Sequence, residues 1–394
     1  MLKNKNILIG VTGSIAIYKT LELIRLLIKA NANVRIIMSE EAKKFITPLT
    51  FEAISQNQVL HANTESWAND NNHIHIGKWA DIFVLAPATA NTINKIANGI
   101  ADNLLTQTLL AFGKDILLAP AANTNMILNK STQKSLHILQ DYGYKIIQPV
   151  QKLLACNDKG IGAMEEPHEI YYQITRSLLK DDYWNGLKVV ITGGGTKEKI
   201  DDVRYISNYS SGKMANALAF ALYYKGADIT YISANEQNSL PKGIDFIYAP
   251  SSKQMKEELE NHIKTSSYLF MVAAVSDYIS KHSYSKKLKK EVLGEHFNLE
   301  LKQNIDILKE IPKDRLKAIG FKAEMDRKDA YKNALKMLKE KNLHAVCLNI
   351  LEDKNGFGSE QNEITILTEE KKTKIKLGQK TEIAFKILEE LKNI

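Results

Sequence analysis

The sequence predicts an α/β protein with two doubly wound domains, and three observations support this fold class. Short apolar runs that are typical of buried strands alternate with segments whose apolar residues recur at helical spacing. This alternation starts again after residues 181–186, DDYWNG, which are polar and end in glycine. The length of 394 residues also exceeds the usual domain size of about 100 to 200 residues. We therefore expect one domain at 1–182 and a second at 183–394.

Composition and charge restrict the classes of function. The chain is 44% hydrophobic and 25% charged, as is typical of globular proteins, and it has no apolar run approaching the length of a membrane span. Its two cysteines, Cys156 and Cys347, cannot form a disulfide framework and indicate a reducing, cytoplasmic setting. The net charge of +8 would attract phosphates, but no nucleic-acid-binding motif accompanies it. Small phosphorylated substrates are therefore the expected anionic partners.

The first domain begins with a strand, a glycine turn and a helix. Further apolar runs predict the other strands of a parallel sheet, and helical patterns separate them. The predicted strands are NILIGVT (6–12), VRIIMS (34–39), IFVLAP (82–87) and DILLAP (115–120). Ligands of such sheets bind beyond the carboxyl ends of the strands, so the residues that follow these runs are the first candidates for a site.

The second domain repeats this organisation without repeating the sequence. Its first strand runs into three glycines, and the following helix ends at Gly226. The predicted strands are LKVVITGGGT (187–196), DITYIS (228–233), YLFMVAA (268–274), LKAIGF (316–321) and HAVCLN (344–349). Cys347 lies inside the last apolar run, and we expect it to be part of the core.

Hydroxyl side chains follow three strands of the first domain. Gly13 and Ser14 follow the first strand, Ser39 follows the second and Thr89 the third. Hydroxyls that converge on one crevice favour a phosphate ligand, although each of them is also a good helix N-cap. The domain lacks a G-x-G-x-x-G dinucleotide fingerprint, so the phosphate need not belong to a dinucleotide.

A base, an amide and a thiol accompany these hydroxyls. His73 and His75 stand two apart before the third strand, Asn123 follows the fourth strand, and Cys156 precedes two glycines in LLACNDKGIGAM. An imidazole can relay protons, an amide can hold a carboxylate, and a thiol can donate a proton. We expect the glycines to give the thiol a hinged loop that opens and closes over a substrate.

The second domain carries residues that suit a nucleoside triphosphate. The segment TGGGTKEKIDDVRYISNYSSGKMAN feeds glycines, serines and Lys213 into a helix, without Walker A spacing. Asp277 follows the apolar strand in AAVSDY, where it could serve a metal or simply cap a helix. Five lysines occupy KHSYSKKLKK (281–290), which is either a solvated surface or a segment that folds over a triphosphate.

Several motifs in fixed order resemble one family closely. The motifs GSIAIYK, HIxIxKWAD, PATANTINKIANGIADNLL, PAxNxxM and LACxDxGxG are similar to those of the flavin-dependent cysteine decarboxylases. With the second half included, nearly the whole chain resembles the bifunctional phosphopantothenoylcysteine decarboxylase/phosphopantothenate-cysteine ligases of coenzyme A synthesis. The resemblance implies a flavodoxin-like flavoprotein domain followed by a Rossmann-like ligase domain.

For the first domain, the resemblance implies FMN and an oxidative decarboxylation. The family oxidises the thiol of the substrate to a thioaldehyde, loses carbon dioxide to give an enethiolate, and reduces this to 4′-phosphopantetheine. By motif position, His73 is the catalytic histidine, Asn123 binds the carboxylate, and Cys156 is the proton donor. The implied FMN contacts are Gly13, Ser14, Ser39, Thr89, Asp102 and Asn103.

For the second domain, the resemblance implies activation of 4′-phosphopantothenate by CTP with Mg²⁺. The carboxylate attacks the α-phosphate, pyrophosphate leaves, and the amine of L-cysteine then displaces CMP. Asn208 and Lys287 match the catalytic positions, Arg204 matches a substrate contact, and Asp277 matches the cation site. The implied CTP contacts are Ala273, Asp277, Lys287, Ile305, Asp306, Ile307, Leu308, Phe321 and Lys341.

The chain departs from the family pattern at Ala122, Asn157, Ala163 and Ile305. Three of these positions lie in the first domain, so one rival hypothesis is an enzyme whose decarboxylase half is inactive. Another rival is a flavin-binding regulatory protein, which the presence of His73, Asn123 and Cys156 disfavours. The family also implies a homo-oligomer, with a trimeric first domain and a dimeric second domain, up to a dodecamer.

Overall fold

We analysed a computed structural model of the chain. It describes residues 1–69, 71–153, 159–237, 239–282, 284–352 and 356–392. The backbone contacts divide the chain into two compact units, Met1–Leu179 and Lys180–Ile394. The functional boundary near residue 183 stays a prediction.

Unit 1 alternates strands and helices along the chain. Its strands are β1 Asn6–Val11, β2 Asn33–Met38, β3 Ile82–Ala88, β4 Ile116–Pro120, β5 Lys145–Ile146, β6 Val150–Leu153 and β7 Lys159–Ala163. Its helices are α1 Ile17–Lys29, α2 Pro48–Ser55, α3 His73–Trp79, α4 Ala90–Ala97, α5 Leu104–Ala111, α6 Thr124–Leu128, α7 Lys130–Asp141 and α8 Pro167–Leu179, with a 3-10 helix at Glu40–Lys44.

The main sheet of unit 1 is parallel and has the order β2-β1-β3-β4-β5. This order is that of flavodoxin-like folds, in which the ligand lies where the strand order reverses, here between β1 and β3. Successive side chains of β1 point to opposite faces, so Ile7 and Ile9 join one buried cluster and Leu8 joins another. Both faces of the sheet are therefore covered, as the alternating pattern predicted.

Unit 2 contains a larger set of strands and helices. Its strands are β8 Lys188–Gly193, β9 Glu198–Lys199, β10 Tyr205–Ile206, β11 Asp228–Ser233, β12 Ile244–Tyr248, β13 Tyr268–Met271, β14 Tyr278–Ser280, β15 Leu301–Gln303, β16 Lys317–Glu324, β17 Ala345–Ile350, β18 Gln361–Leu367 and β19 Lys372–Gln379. Its helices are α9 Lys213–Tyr224, α10 Ser252–His262, α11 Lys290–Leu293, α12 Ile307–Glu310, α13 Arg327–Glu340 and α14 Lys380–Leu391, with a 3-10 helix at Ile263–Thr265.

The main sheet of unit 2 has the order β12-β11-β8-β13-β16-β17-β18-β19. From β12 to β17 the pairing is parallel and follows the Rossmann order, whereas β18 and β19 add antiparallel pairs at the edge. The strand order reverses between β8 and β13. The α/β prediction and both fold types are confirmed, but the sequence analysis missed the edge pair β18–β19.

Cys347 lies in β17 and is fully buried, so its assignment to the core is confirmed. Burial in apolar surroundings raises the pKa of this thiol far above its usual value. Cys347 is therefore kept as a neutral core residue.

Candidate functional site

Three hydroxyls lie at the carboxyl ends of adjacent strands in unit 1. Ser14 follows β1, Ser39 follows β2 and Thr89 follows β3, and these strands are neighbours in the sheet. Each hydroxyl oxygen accepts a backbone N–H of the next helical segment, at 3.3 Å for Ser14 and Ser39 and at 3.4 Å for Thr89. A hydroxyl that accepts one bond keeps its own hydrogen for donation. Helix capping and phosphate binding are therefore compatible here.

A buried threonine that the sequence analysis missed fixes two of these strand ends together. The Thr12 hydroxyl donates to the Pro87 carbonyl at 2.7 Å and accepts the Thr89 N–H at 3.0 Å. Gly13 also lies close to the helical segment after β2, because a Cβ at this position would stand 2.7 Å from Glu41 Cβ. These contacts bring the turns after β1, β2 and β3 to one edge of the sheet.

Asp102 and Asn103 lie between α4 and α5. Asp102 Oδ2 lies 2.5 Å from Lys95 Nζ, and this hydrogen bond holds the pKa of the Asp102 carboxyl below its usual value. Asn103 caps α5 by accepting the Thr106 N–H at 3.1 Å. Both side chains stabilise this connection, and their contact with a flavin stays a prediction.

The two histidines have different partners. His73 begins α3, and its Nδ1 lies 2.8 Å from Glu65 Oε1, while the Trp67 ring packs against it at 5.4 Å between centroids. His75 Nδ1 lies 2.7 Å from the Asn72 amide nitrogen. A carboxylate at Nδ1 orients an imidazole. Glu65 is therefore a carboxylate partner of His73, and the catalytic role of this histidine stays a prediction.

A cavity of about 600 Å³ lies at the carboxyl end of the unit 1 sheet. Ser14 and Asn123 both line it, together with the substituted positions Ala122 and Ala163. The Asn123 side chain accepts the Asn125 N–H at 2.9 Å and so begins α6. Cys156 lies outside the described residues, and its role stays a prediction.

The glycines after Cys156 lie in a strand and not in the loop that we expected. Gly160 and Gly162 lie in β7, and a Cβ at either position would stand 2.1 Å from an atom of the segment around Asn123. The atoms are Thr124 Oγ1 and the Ala122 carbonyl oxygen. These glycines are required because β7 approaches this segment closely, and the hinged opening of the thiol loop stays a prediction.

Charged residues on the same cavity were missed by the sequence analysis. Lys19 Nζ donates to the Met164 carbonyl at 2.7 Å and lies 2.9 Å from Glu166 Oε1, and Lys152 Nζ also bonds this carboxylate. Burial alone would raise the pKa of Glu166, but the bonds from Lys152 and Lys19 outweigh burial and lower it. Lys19 is largely buried, and a buried lysine within an otherwise apolar helix face was the available signal.

A cavity of about 500 Å³ lies at the carboxyl end of the unit 2 sheet, beyond β13 and β16. It brings together every predicted CTP contact except Lys287. These residues are Ala273, Asp277, Ile305, Asp306, Ile307, Leu308, Phe321 and Lys341. The cavity also has lining residues that the sequence analysis did not select, namely Ser276, Tyr278, Gln303, Asn304 and Met337.

The polar groups of this cavity include a cation and a buried hydroxyl. Lys341 Nζ lies 2.9 Å from Asp306 Oδ2, and Asp306 also caps α12. The Ser276 hydroxyl is buried and has no hydrogen-bond partner among the described residues. Lys313 is buried nearby, and burial lowers the pKa of its amine, which Asp306 partly opposes. A buried hydroxyl without a partner suits a ligand that completes its hydrogen bonds.

A second cavity of about 210 Å³ adjoins the first and shares Ala273 and Phe321 with it. The segment Ser210–Lys213 lines it at the start of α9, with Lys380 nearby. The turn after β8 is packed closely here: Gly194 has a φ of +79°, and a Cβ at Gly195 would lie 2.4 Å from the Asn208 carbonyl oxygen. This packing sets Asn208 at the crevice, where its Nδ2 donates to the Val275 carbonyl at 3.1 Å.

Arg204 and Lys287 are placed outside the first cavity's lining. The Arg204 guanidinium bonds the buried Asp201 carboxylate and donates to the Leu288 carbonyl at 3.0 Å. Lys287 precedes Leu288 and is exposed. The predicted roles of both residues in binding and catalysis stay predictions.

No group of three or more His, Cys, Asp or Glu side chains in the described ranges is arranged to hold a metal ion. Within the same ranges, the longest apolar helices fall short of crossing a bilayer.

Two family models match the chain, one in each unit. Residues 1–179 match the family described as "Flavoprotein", and residues 184–394 match "DNA/pantothenate metabolism flavoprotein C-terminal domain". Among curated relatives, the "Coenzyme A biosynthesis bifunctional protein CoaBC" of Bacillus subtilis is 38% identical, covering 99% of this chain and 97% of that protein. The protein of that name from Haemophilus influenzae is 37% identical, with 99% and 98% covered. A crystal structure of the C-terminal domain of a CoaBC protein covers 54% of this chain and 97% of its own, at 28% identity and a TM-score of 0.46.

Proposed function

The chain belongs to the family of coenzyme A biosynthesis bifunctional proteins CoaBC, and we propose that it catalyses both reactions of that family. Unit 2 joins L-cysteine to 4′-phosphopantothenate at the expense of CTP. Unit 1 decarboxylates the cysteinyl product to 4′-phosphopantetheine. The observation that carries this proposal is the collection of the predicted CTP contacts around one cavity.

In unit 2, CTP occupies the cavity beyond β13 and β16. The Lys341 ammonium neutralises phosphate charge, and the Ser276 hydroxyl gains the partner that it lacks in the chain alone. Asp277 would hold Mg²⁺ together with the phosphates of CTP, and this ion would neutralise phosphate charge, because it is commonly held by one or two carboxylates and substrate phosphates. A dedicated cluster of carboxylates is therefore not required.

The adjoining cavity holds 4′-phosphopantothenate, with its phosphate at the Ser210–Lys213 segment. A carboxylate oxygen of this substrate bonds to the α-phosphorus of CTP while the bond to pyrophosphate breaks. The amine of L-cysteine then attacks the acyl carbon, and CMP leaves. Asn208 donates to the carbonyl of Val275, which lines the first cavity, and precedes Tyr209, which lines the second. Its proposed role is to orient the acyl-cytidylate. Lys287 is the proposed cationic catalyst, and Arg204 the proposed substrate contact. Catalysis here depends on positioning and charge neutralisation.

In unit 1, the residues at the sheet edge fit FMN. The hydroxyls of Ser14, Ser39 and Thr89 can each donate to a phosphate, while Ser39 and Thr89 also cap the adjoining helical segments. Gly13, Asp102 and Asn103 complete the proposed cofactor contacts. Bound FMN supplies the oxidant for the thiol carbon of the substrate and later returns the hydride.

The chain's own residues bind the substrate of unit 1 and move its protons. The Asn123 amide holds the carboxylate that is lost as carbon dioxide, from the wall of the cavity it shares with Ser14. His73, oriented by Glu65, takes a proton at Nε2. Cys156 returns a proton to the enethiolate carbon. Lys19 and Lys152 place two ammonium groups on this cavity, where both pair with Glu166.

We also propose a cytoplasmic location and a homo-oligomer built from trimers of unit 1 and dimers of unit 2. The location rests on the free, buried Cys347 and on a pathway that uses cytosolic nucleotides. The assembly rests on the family, and the mass of the native protein in solution tests it.

The two activities are tested separately with matched variants of the full chain. Pyrophosphate release from MgCTP, 4′-phosphopantothenate and L-cysteine is compared for wild type, Asp277→Asn and Asp314→Asn. Asp314 is an exposed aspartate outside the cavity lining, so its variant should match wild type. Loss of activity in Asp277→Asn alone supports the site, whereas equal rates in all three proteins would refute it. Release of carbon dioxide from supplied phosphopantothenoylcysteine, in wild type and Cys156→Ser, tests unit 1.

A further inference from the structure

The buried carboxylate of Asp201 organises two segments of unit 2 at once. Its Oδ1 accepts the Val203 and Arg204 N–H groups, both at 2.8 Å, and so closes the turn after β9. Its Oδ2 accepts Arg204 Nε at 2.9 Å, Arg204 Nη2 at 2.5 Å and the Leu288 N–H at 3.1 Å. One oxygen therefore serves the local turn, and the other serves a contact across the fold.

The lysine-rich segment 284–289 is held by hydrogen bonds to its backbone. Asp201 accepts the N–H of Leu288, and Arg204 Nη2 donates to the carbonyl of the same residue at 3.0 Å. A third bond runs from the Tyr284 N–H to the Ile200 carbonyl at 3.0 Å. Both backbone polar groups of Leu288 are thus held by hydrogen bonds. The residue immediately before it is the exposed Lys287.

The Asp201 carboxylate has an electrostatic reason to stay ionised. Its side chain is fully buried, and the hydrogen bonds from Arg204 lower its pKa against the opposing effect of burial. Burying a charged carboxylate costs desolvation free energy, which the five hydrogen bonds to Asp201 offset. We infer that the geometry fixed by these bonds is needed for function. Arg204, which the sequence analysis assigned to the substrate, is the main partner of this charge.

We propose that Asp201 is a positioning residue for the ligase reaction: with Arg204 it holds the Leu288 backbone and thereby sets the point from which Lys287 extends. This inference rests on the proposed function of unit 2. The clamp holds the backbone next to Lys287, whose exposed side chain is not part of it. Fixing the backbone in advance reduces the ordering that the reaction must otherwise impose on a lysine-rich segment.

The variant Asp201→Asn separates the clamp from the turn. An asparagine can keep its oxygen at the Oδ1 position, where it still accepts the Val203 and Arg204 N–H groups. Its amide nitrogen then replaces Oδ2 and faces the N–H groups of Arg204 and Leu288. An amide nitrogen cannot accept hydrogen bonds from them. The matched control is Asp202→Asn, because the neighbouring Asp202 pairs with Lys199 at 2.6 Å instead.

The first measurement is limited trypsin digestion of the full chain, because Lys286, Lys287 and Lys289 are cleavage sites within the clamped segment. We expect faster cleavage at these lysines in Asp201→Asn than in wild type or Asp202→Asn. Equal cleavage in all three proteins would overturn the clamp without reference to any activity.

The second measurement is CTP-dependent ligation, with Lys287→Gln as a second background. Asp201→Asn should lower kcat on the order of 100-fold in the wild-type background, the cost of a misplaced catalytic group. In the Lys287→Gln background, Asp201→Asn should lower kcat little further, because the effects of residues that act through one another are not additive. Additive losses would overturn the link to Lys287 and leave Asp201 a merely structural residue.

Failure of the inference and failure of the proposed function are distinguishable. A wild-type chain that consumes no CTP would refute the proposed ligase activity and, with it, the role of Asp201 in it. An active wild type with an equally active Asp201→Asn variant would refute only the positioning role. Decarboxylation of supplied phosphopantothenoylcysteine, which is assigned to unit 1, should be unchanged in every variant and shows that unit 1 is folded. Circular dichroism of each variant checks the fold of unit 2.

Discussion

Replacing Lys341 by glutamine should weaken CTP binding, and the structure gives the size of the effect. The Lys341 side chain is only 26% exposed and lines the cavity, where it pairs with Asp306 at 2.9 Å. A hydrogen bond to a charged group contributes about 1.5 to 3 kcal/mol. Since about 1.4 kcal/mol corresponds to a tenfold change, the Kd for CTP should rise about 10- to 150-fold.

Two further features of the cavity set the direction of this effect. Without Lys341, the Asp306 carboxylate loses its ion-pair partner and repels the triphosphate, which adds to the loss of the cation. The buried Lys313 lies too deep to replace it, since its amine donates to the Ile311 carbonyl at 2.8 Å. Both features make the prediction a loss of affinity and not a rearrangement.

Calorimetric titration of MgCTP, without 4′-phosphopantothenate, measures this affinity directly because no turnover occurs. The matched control is Lys339→Gln, which removes an exposed charge from the same end of α13. Equal affinities for wild type and Lys341→Gln would refute the assignment of the cavity to CTP. An equal loss in Lys339→Gln would show that general charge, and not the cavity, controls binding.

Three other predictions follow from single side chains. Ser276→Ala should raise the free energy of unfolding by about 1 to 3 kcal/mol, because it removes a buried hydroxyl that has no partner among the described residues. The same variant should bind CTP more weakly. A variant whose stability and CTP affinity both rise, or both fall, would contradict this prediction. Cys347 should resist alkylation at pH 8 until the chain is denatured, because burial raises the pKa of its thiol, and peptide mass mapping of native protein would reveal any labelling that contradicts this. The pKa of Glu166 is lowered in the folded chain, so its ionised carboxylate should stabilise the fold above the ordinary pKa of 4.5, and this stabilisation should be lost as the pH falls through the lower pKa of the folded state. The free energy of unfolding, measured with denaturant, should therefore fall less at acid pH in Glu166→Gln than in wild type. Parallel pH profiles for the two proteins would contradict this prediction.

Local sequence patterns were sufficient for the fold and for the strand ends at which the candidate sites lie. Apolar runs bounded by glycine marked the parallel strands, and ligand residues of such sheets lie just beyond the strand ends. Asp277 could be selected because it follows β13, whereas Phe321 lies inside β16 and was selected only through the family resemblance. The antiparallel strands β18 and β19 were missed, because their alternation is mixed with lysine-rich, solvent-facing positions.

The partners of the site residues could not be predicted, because they lie far away in the sequence. Lys19 meets Glu166 across 147 residues, and Asp201 meets Leu288 across 87. No local pattern specifies such pairs, since they depend on which strands become neighbours in the folded sheet. Gly160 and Gly162 show the same limit: a loop hinge and a close approach of two segments require the same residue type.

The most direct test of the account is the complete conversion by one preparation of the full chain. Purified yellow protein is given 4′-phosphopantothenate, L-cysteine, CTP and Mg²⁺, and the products are followed by mass spectrometry. We expect phosphopantothenoylcysteine to appear first and 4′-phosphopantetheine to accumulate, with release of CMP, pyrophosphate and carbon dioxide. Accumulation of phosphopantothenoylcysteine alone would contradict an active first unit, and unchanged CTP with no product would contradict the proposed function as a whole.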